Sequence, residues 1–247
     1  MGGLVKAELL KVLTTRAYLG LVVGATAVAA LGAFSVIMSG DAPMLSRSLH
    51  SQPHFLLASI NVSLFAVVFG VRVFTDEFRH GSIVPTLLAT PSRTSVVVGK
   101  MLIGALLGFV LGLVATVAMT LLSVPLTSLK GGSADISATD GAAIAGLAAS
   151  AGLWSAIGVG LGAAIRSQVP AIVAALVWIL VVENLGTGML RDAARFLPGQ
   201  AGHGLANATQ ATNLLAEPVA GGVLLAYVIL VGIIGAWLLA TRDVSAA

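Results

Sequence analysis

The chain of 247 residues contains no cysteine, which excludes a disulfide framework and a thiolate metal site and leaves its redox compartment unspecified. Charge is the next scarcity. Asp, Glu, Lys and Arg together make up 9% of the residues, against roughly 25% in a soluble domain that must cover its surface. Water is therefore not its main solvent. There is no G-x-x-x-x-G-K-(S/T) loop to cradle a phosphate, so the chain cannot hydrolyse ATP by itself. The four histidines do not make a metal centre: His50 and His54 are spaced i, i+4, but Pro53 lies between them and no third ligand is near.

Apolar residues, by contrast, make up 57% of the chain, with a mean hydropathy of +1.03. They are gathered into runs of about 20, long enough to cross a hydrocarbon core of about 30 Å as helices. Six spans are expected: Ala17 to Met38, Phe55 to Phe74, Val96 to Val124, Ala142 to Ile165, Val169 to Leu185 and Val219 to Ala240. Ahead of them, Val5, Leu9, Val12 and Leu13 share one helical face, with Glu8, Lys11 and Thr15 opposite. Residues 1–16 thus read as an amphipathic helix lying along the membrane surface, and residues 17–247 as the six-helix domain.

The net charge of +3 and pI near 9.7 need no nucleic acid to explain them. With the amino terminus inside, nine of the thirteen Lys and Arg fall on the cytoplasmic side and four outside, as the positive-inside rule requires. Both termini are then cytoplasmic. Tyr18 and Trp237 are expected near the inner interface. Packing within the bilayer is expected at small residues: Gly104, Gly108 and Gly112 on the third span, Gly20 and Gly24 on the first, Gly158 and Gly162 on the fourth. The run Gly158, Gly160, Ala163 matches G-x-G-x-x-A, but inside an apolar helix it is packing and not a nucleotide loop.

Three connections are long enough to carry function: Ser39 to His54 outside, and two more. Of these two, the outer one, 186–218, contains Leu190 to Phe196 and Leu197, whose spacing suits short helices on or in the outer leaflet. The inner one, 75–95, reads Asp76-Glu77-Phe78-Arg79-His80-Gly81-Ser82-Ile83-Val84-Pro85 and runs on through Leu87, Leu88 and Pro91 to Arg93. Ser82 can cap a short helix with Pro85 in its first turn and Pro91 near its end. Ile83, Leu87 and Leu88 would form an apolar ridge facing the cytoplasm, suited either to docking a soluble partner or to resting on headgroups. On the second span Asn61, Phe65, Phe69 and Arg72 share a face, which fits an amphipathic cargo or packing against the third span. Glu183 is the one acid inside a span, near its outer end where water can reach it.

The pattern Glu77-Phe78-Arg79-x-Gly81-Ser82, then Leu87, Pro91-x-Arg93 and Lys100, resembles that of ABC-2 type permeases, the membrane subunits of one class of ATP-binding cassette exporters. Phe196-Leu197-Pro198-Gly199 is similar to the family's outer Leu-Pro turn, and Ser82 stands where Thr is commoner. The resemblance implies an all-α membrane fold of the ABC-2, type V exporter-like kind, with Gly81 to Ala89 as a coupling helix whose approach Glu77 and Arg79 steady. It also implies two copies of an ATPase subunit holding ATP and Mg, a second permease subunit, identical or homologous, and outward movement of a drug, antibiotic or lipid-like molecule. Asn61, Phe65, Phe69 and Glu183 are the candidate substrate contacts. Nine Arg against four Lys, with abundant Ala, Gly and Val, fits a GC-rich bacterial genome and an inner-membrane location. A competing reading is a secondary transporter driven by an ion gradient, but paired charges near the membrane midplane are lacking. A membrane enzyme would need a cluster of catalytic groups, and only scattered Ser, Thr and His are present.

Overall fold

The computed structural model describes residues 15–40, 53–83, 92–131, 138–206 and 214–241. Among these there is no strand, and six helices are long and apolar enough to cross a membrane. They are α1 (Arg16–Ser39), α2 (Pro53–Arg79), α3 (Arg93–Leu129), α4 (Ala138–Ile165), α5 (Gln168–Leu190) and α7 (Glu217–Thr241). A 3-10 turn (Arg191–Phe196) and the short helix α6 (Pro198–Leu205) lie in the connection between α5 and α7. The amphipathic helix expected over residues 1–16 lies almost wholly outside the described residues, as do Leu87 and Leu88.

The helices overrun the expected spans. The second does not stop at Phe74 but continues through Asp76 and Glu77 to Arg79, because both acids find partners inside the bundle. The third has 37 residues, about 55 Å at 1.5 Å per residue, and therefore projects beyond the hydrocarbon. It starts at Ser92, whose hydroxyl accepts from the Ser95 N–H at 3.3 Å, and it accommodates Pro125 in its last turns.

Helix α4 is the hub, packing against α2, α3 and α7. Lipid tails give helices no hydrophobic reason to associate, so contact depends on how closely backbones approach. Here they approach until no Cβ fits. One on Gly70 of α2 would overlap the Ser155 carbonyl, and one on Gly158 would overlap the Val67 carbonyl. On α3, Gly104, Gly108 and Gly112 face Val159, Ser155 and Ala151 of α4 in turn. On α7, a Cβ at Gly235 would come within 2.7 Å of the Gly160 carbonyl. The expected glycine contacts are thus made on α3 and α4, but not throughout α1. Gly24 rests against the Phe65 ring, whereas Gly20 is exposed with nothing within 4 Å of its Cβ position.

Away from α4 the helices present large apolar side chains outward, among them Val23, Leu102, Leu121 and Ile233. This inverts the polar surface of a soluble protein and suits lipid contact. Trp237 belongs to that outer surface at 63% exposed, but Tyr18 does not: it is 2% exposed and bonded inside the bundle. The reason is the overrun of α2, which brings Asp76 within reach of the Tyr18 hydroxyl.

Replacing Gly158 with Leu should lower stability by more than the ~1–3 kcal/mol of ordinary overpacking, since backbone and not a movable side chain is in the way. Gly20→Leu should stay within about 0.5 kcal/mol of the parent, as exposed changes do. Thermal unfolding of the purified protein in detergent measures both.

Candidate functional site

One end of the bundle gathers the carboxyl-terminal turns of α2, α4 and α7 and the amino-terminal turns of α1 and α3. Three buried polar side chains dominate it. Lys100, fully buried on α3, donates to Glu77 Oε1 at 2.8 Å and lies 3.4 Å from the Val73 carbonyl oxygen. Asp76 accepts from the Tyr18 hydroxyl at 3.0 Å and pairs with Arg72 at 3.3 Å, and the Arg72 guanidinium lies 5.4 Å from the Tyr18 ring centre. A buried charge survives only when paired and hydrogen-bonded, so these contacts set where α1, α2 and α3 sit relative to one another.

Just beyond, the chain turns sharply. Gly81 has φ of +67°, its N–H donates to the Phe78 carbonyl at 3.3 Å, and the Ser82 N–H donates to the Glu77 carbonyl at 2.9 Å. This pair of bonds is a Schellman ending, which needs a left-handed residue and favours glycine. Gly81 therefore closes α2 and does not open the expected coupling helix. Helical structure resumes at Ile83, one residue after Ser82, the position expected for the cap. Ile83 itself is 3% exposed, so its side chain faces the protein's interior and does not join an exposed ridge. Arg79 is exposed. Arg93 donates to the Leu239 carbonyl at 2.8 Å and the Ala240 carbonyl at 3.3 Å. Arg166, at φ of +61°, donates to the Leu238 carbonyl at 2.8 Å. Two cations thus close the negative end of α7.

The opposite end carries a second polar group. The fifth span is interrupted by a π-helical turn, Trp178–Val182, and Glu183 follows it, its N–H reaching back to the Trp178 carbonyl. Such turns occur often at functional positions. Glu183 is only 6% exposed, less than its place near a span end led one to expect. The reason is α6, which packs back onto α4 and α7 and covers it. No side chain of the preceding residue caps α6, and Glu183 takes that role by accepting the Gly199 N–H at 2.7 Å. The outer Leu-Pro turn is present, with Leu197 extended and Pro198 in the first turn of α6. Ser59 and His203 are hydrogen-bonded partners nearby, and burial pushes the His203 imidazole down to about 4, so it is neutral at pH 7.

Ile60, Ser63, Trp154, Asn184, Gln200 and His203, with Glu183, surround a cavity of about 110 Å³ at this end. Asn61, Phe65 and Phe69 do not line it. The Phe69 ring lies tilted against Tyr18 with ring centres 4.9 Å apart, and Phe65 meets Gly24, so the phenylalanine stripe packs on α1. His54 is buried, and the described residues contain no cluster of metal-ligating side chains.

Residues 4–182 match the profile of the ABC-2 family transporter proteins. The chain belongs to that family. No curated protein matches it. As an ABC-2 family member it is a multi-pass membrane component of an ABC transporter, a class that works with an ATPase. The match takes in the buried Lys100, Glu77 and Asp76 but stops one residue before Glu183. Lys100 was visible in the sequence only as the last element of a motif. The clue to its role was a lysine inside an apolar span together with a glutamate at the end of the preceding one, because each needs the other. Tyr18, Arg72 and Arg166 carried no such signal.

Lys100→Met should destabilise the protein by about 3–5 kcal/mol by leaving Glu77 buried without its cation. Adding Glu77→Met should restore most of that loss. A double-mutant cycle read by thermal unfolding checks this, and additive losses would contradict the pairing.

Proposed function

We propose that this chain is the permease subunit of an ABC-2 exporter, which couples ATP hydrolysis by a separate ATPase to outward movement of a hydrophobic or amphipathic molecule. In this reading two permease subunits, identical or homologous, assemble with two ATPase subunits in a bacterial inner membrane, and ATP and Mg are bound by the ATPase alone. Drugs, antibiotics and lipid-like molecules are the cargo classes that fit, with multidrug efflux or antibiotic resistance as the outcome.

The observation that carries the proposal is the Lys100–Glu77 pair. It ties α2 to α3 immediately beside the segment that joins them. A force applied to residues 84–91 would reach two spans together instead of bending a loop. Closure of the ATPase pair on nucleotide would supply that force, and a switch between inward and outward arrangements would follow from the difference in nucleotide affinity between the two states. Within the segment the docking residues are Leu87 and Leu88, since Ile83 is committed to the protein's own interior. Glu77 and Arg93 fix its two ends, through Lys100 and α7 respectively. Arg79, exposed at the turn, is free to meet an acidic group on the partner.

Leu87→Asp combined with Leu88→Asp should abolish co-purification of the ATPase subunit while leaving the membrane helices folded. Undiminished association in that pull-down would remove this segment as the coupling element.

A further inference from the structure

Beside the Glu183 cavity lies a second, apolar groove of about 310 Å³ between α4, α5 and α7, bordered by Trp154, Trp178, Pro198 and Tyr227. Trp154 lines both spaces. Glu183 lines the polar cavity, and Trp178, whose carbonyl accepts the Glu183 N–H, borders the groove together with Tyr227. Among the described residues no Lys or Arg pairs with Glu183.

The polar cavity is rich in acceptors. The Ser63 hydroxyl spends its proton on the Ser59 carbonyl, the Thr187 hydroxyl on the Asn184 carbonyl, and the Asn184 amide donates to the Leu180 carbonyl. The Ser63 and Thr187 hydroxyls have only lone pairs left to offer a guest, beside those of Glu183, while the Asn184 amide keeps its oxygen and one N–H. The complementary guest is a donor carrying positive charge. A cavity of about 110 Å³ has room for an ammonium group, several times the ~30 Å³ share of one water. Aromatic walls next to a carboxylate also favour a cation electrostatically. Trp154 adds one donor, a buried indole Nε1 without a partner among the described residues.

We infer that Glu183 and its acceptor-lined cavity bind the ammonium head of an amphiphilic amine, whose apolar body lies in the aromatic groove between α4, α5 and α7. The groove opens on the lipid-facing side, where Trp178 and Leu230 are 39% and 54% exposed, so such a guest can arrive from the bilayer. As a cargo site this rests on the permease reading. As a binding site it does not, and it can be measured without any ATPase.

The test is a titration of the full chain in nanodiscs of neutral phosphatidylcholine, followed by tryptophan fluorescence. Of the chain's three tryptophans, Trp237 lies on the outer surface, so Trp237→Phe leaves Trp154 and Trp178 as reporters. Dodecylamine should give a saturable change at concentrations at least tenfold below dodecanol, and dodecanoate should give none. Glu183→Gln keeps an oxygen for the Gly199 N–H; it should weaken the amine at least tenfold and leave the alcohol unchanged. Ala174→Phe, which fills the groove without touching Glu183, should weaken both. Equal binding of amine and alcohol by the parent would overturn the inference without recourse to any variant. So would undiminished amine binding in a folded Glu183→Gln protein or in Ala174→Phe. Any of these results would leave the permease reading standing, because ATPase docking is measured at the other end of the bundle.

Discussion

The smallness of the side chains where α4 meets its neighbours governs much of this structure. Where α4 crosses α2, α3 and α7, glycine, alanine and serine let carbonyls of one helix lie where a Cβ of the next would be. In a soluble protein such faces would be poor glue, since they bury little apolar area. Inside lipid the comparison changes, because large side chains are equally well solvated by acyl chains and only close packing distinguishes protein from bilayer. The large residues are accordingly left on the outside. The slab of α2, α3, α4 and α7 is held by backbone contact, and groups with chemistry are confined to its two ends.

Those ends are built differently. At one, ions neutralise each other: Lys100 with Glu77, Arg72 with Asp76, and Arg93 and Arg166 with the carbonyl end of α7. Every bond there joins one helix to another or stiffens a helix end, which suits a place where force is received. At the other end Glu183 meets a helix amino terminus and an acceptor-lined cavity instead of a cation. That arrangement suits recognition. The bundle is closely packed in the middle, braced by ion pairs at one end and hollowed by a polar cavity at the other.

How far this could be seen in the sequence depended on the range of each interaction. The six spans were legible because apolar run length is a local property, and the glycines of α3 and α4 because their spacing is. The Leu-Pro turn at Pro198 was legible through its resemblance to the family's, whereas Gly81 was expected to open a helix and instead closes α2. Long-range pairings were not. Tyr18 and Asp76 are 58 positions apart, and nothing in either neighbourhood announces the other. The phenylalanine stripe on α2 had the right period but left open the contacts that Tyr18 and Gly24 of α1 make with it. Ile83 carried the period of an exposed ridge yet is buried, since periodicity identifies a face without saying what covers it. Glu183 was singled out as the lone intramembrane acid, but its burial depends on α6 packing back onto α4 and α7, and the short helices expected in that connection gave no sign of where they would pack.

The central claim is that this chain moves a molecule across the membrane with energy delivered by an ATPase. The most direct measurement is movement of a labelled amphiphile in sealed vesicles containing the permease and its ATPase, with and without ATP and with imposed proton or sodium gradients. The account predicts transport that requires ATP hydrolysis and proceeds when every ion gradient is collapsed. Transport sustained by an ion gradient in vesicles without ATP would contradict it and would make the chain a secondary transporter.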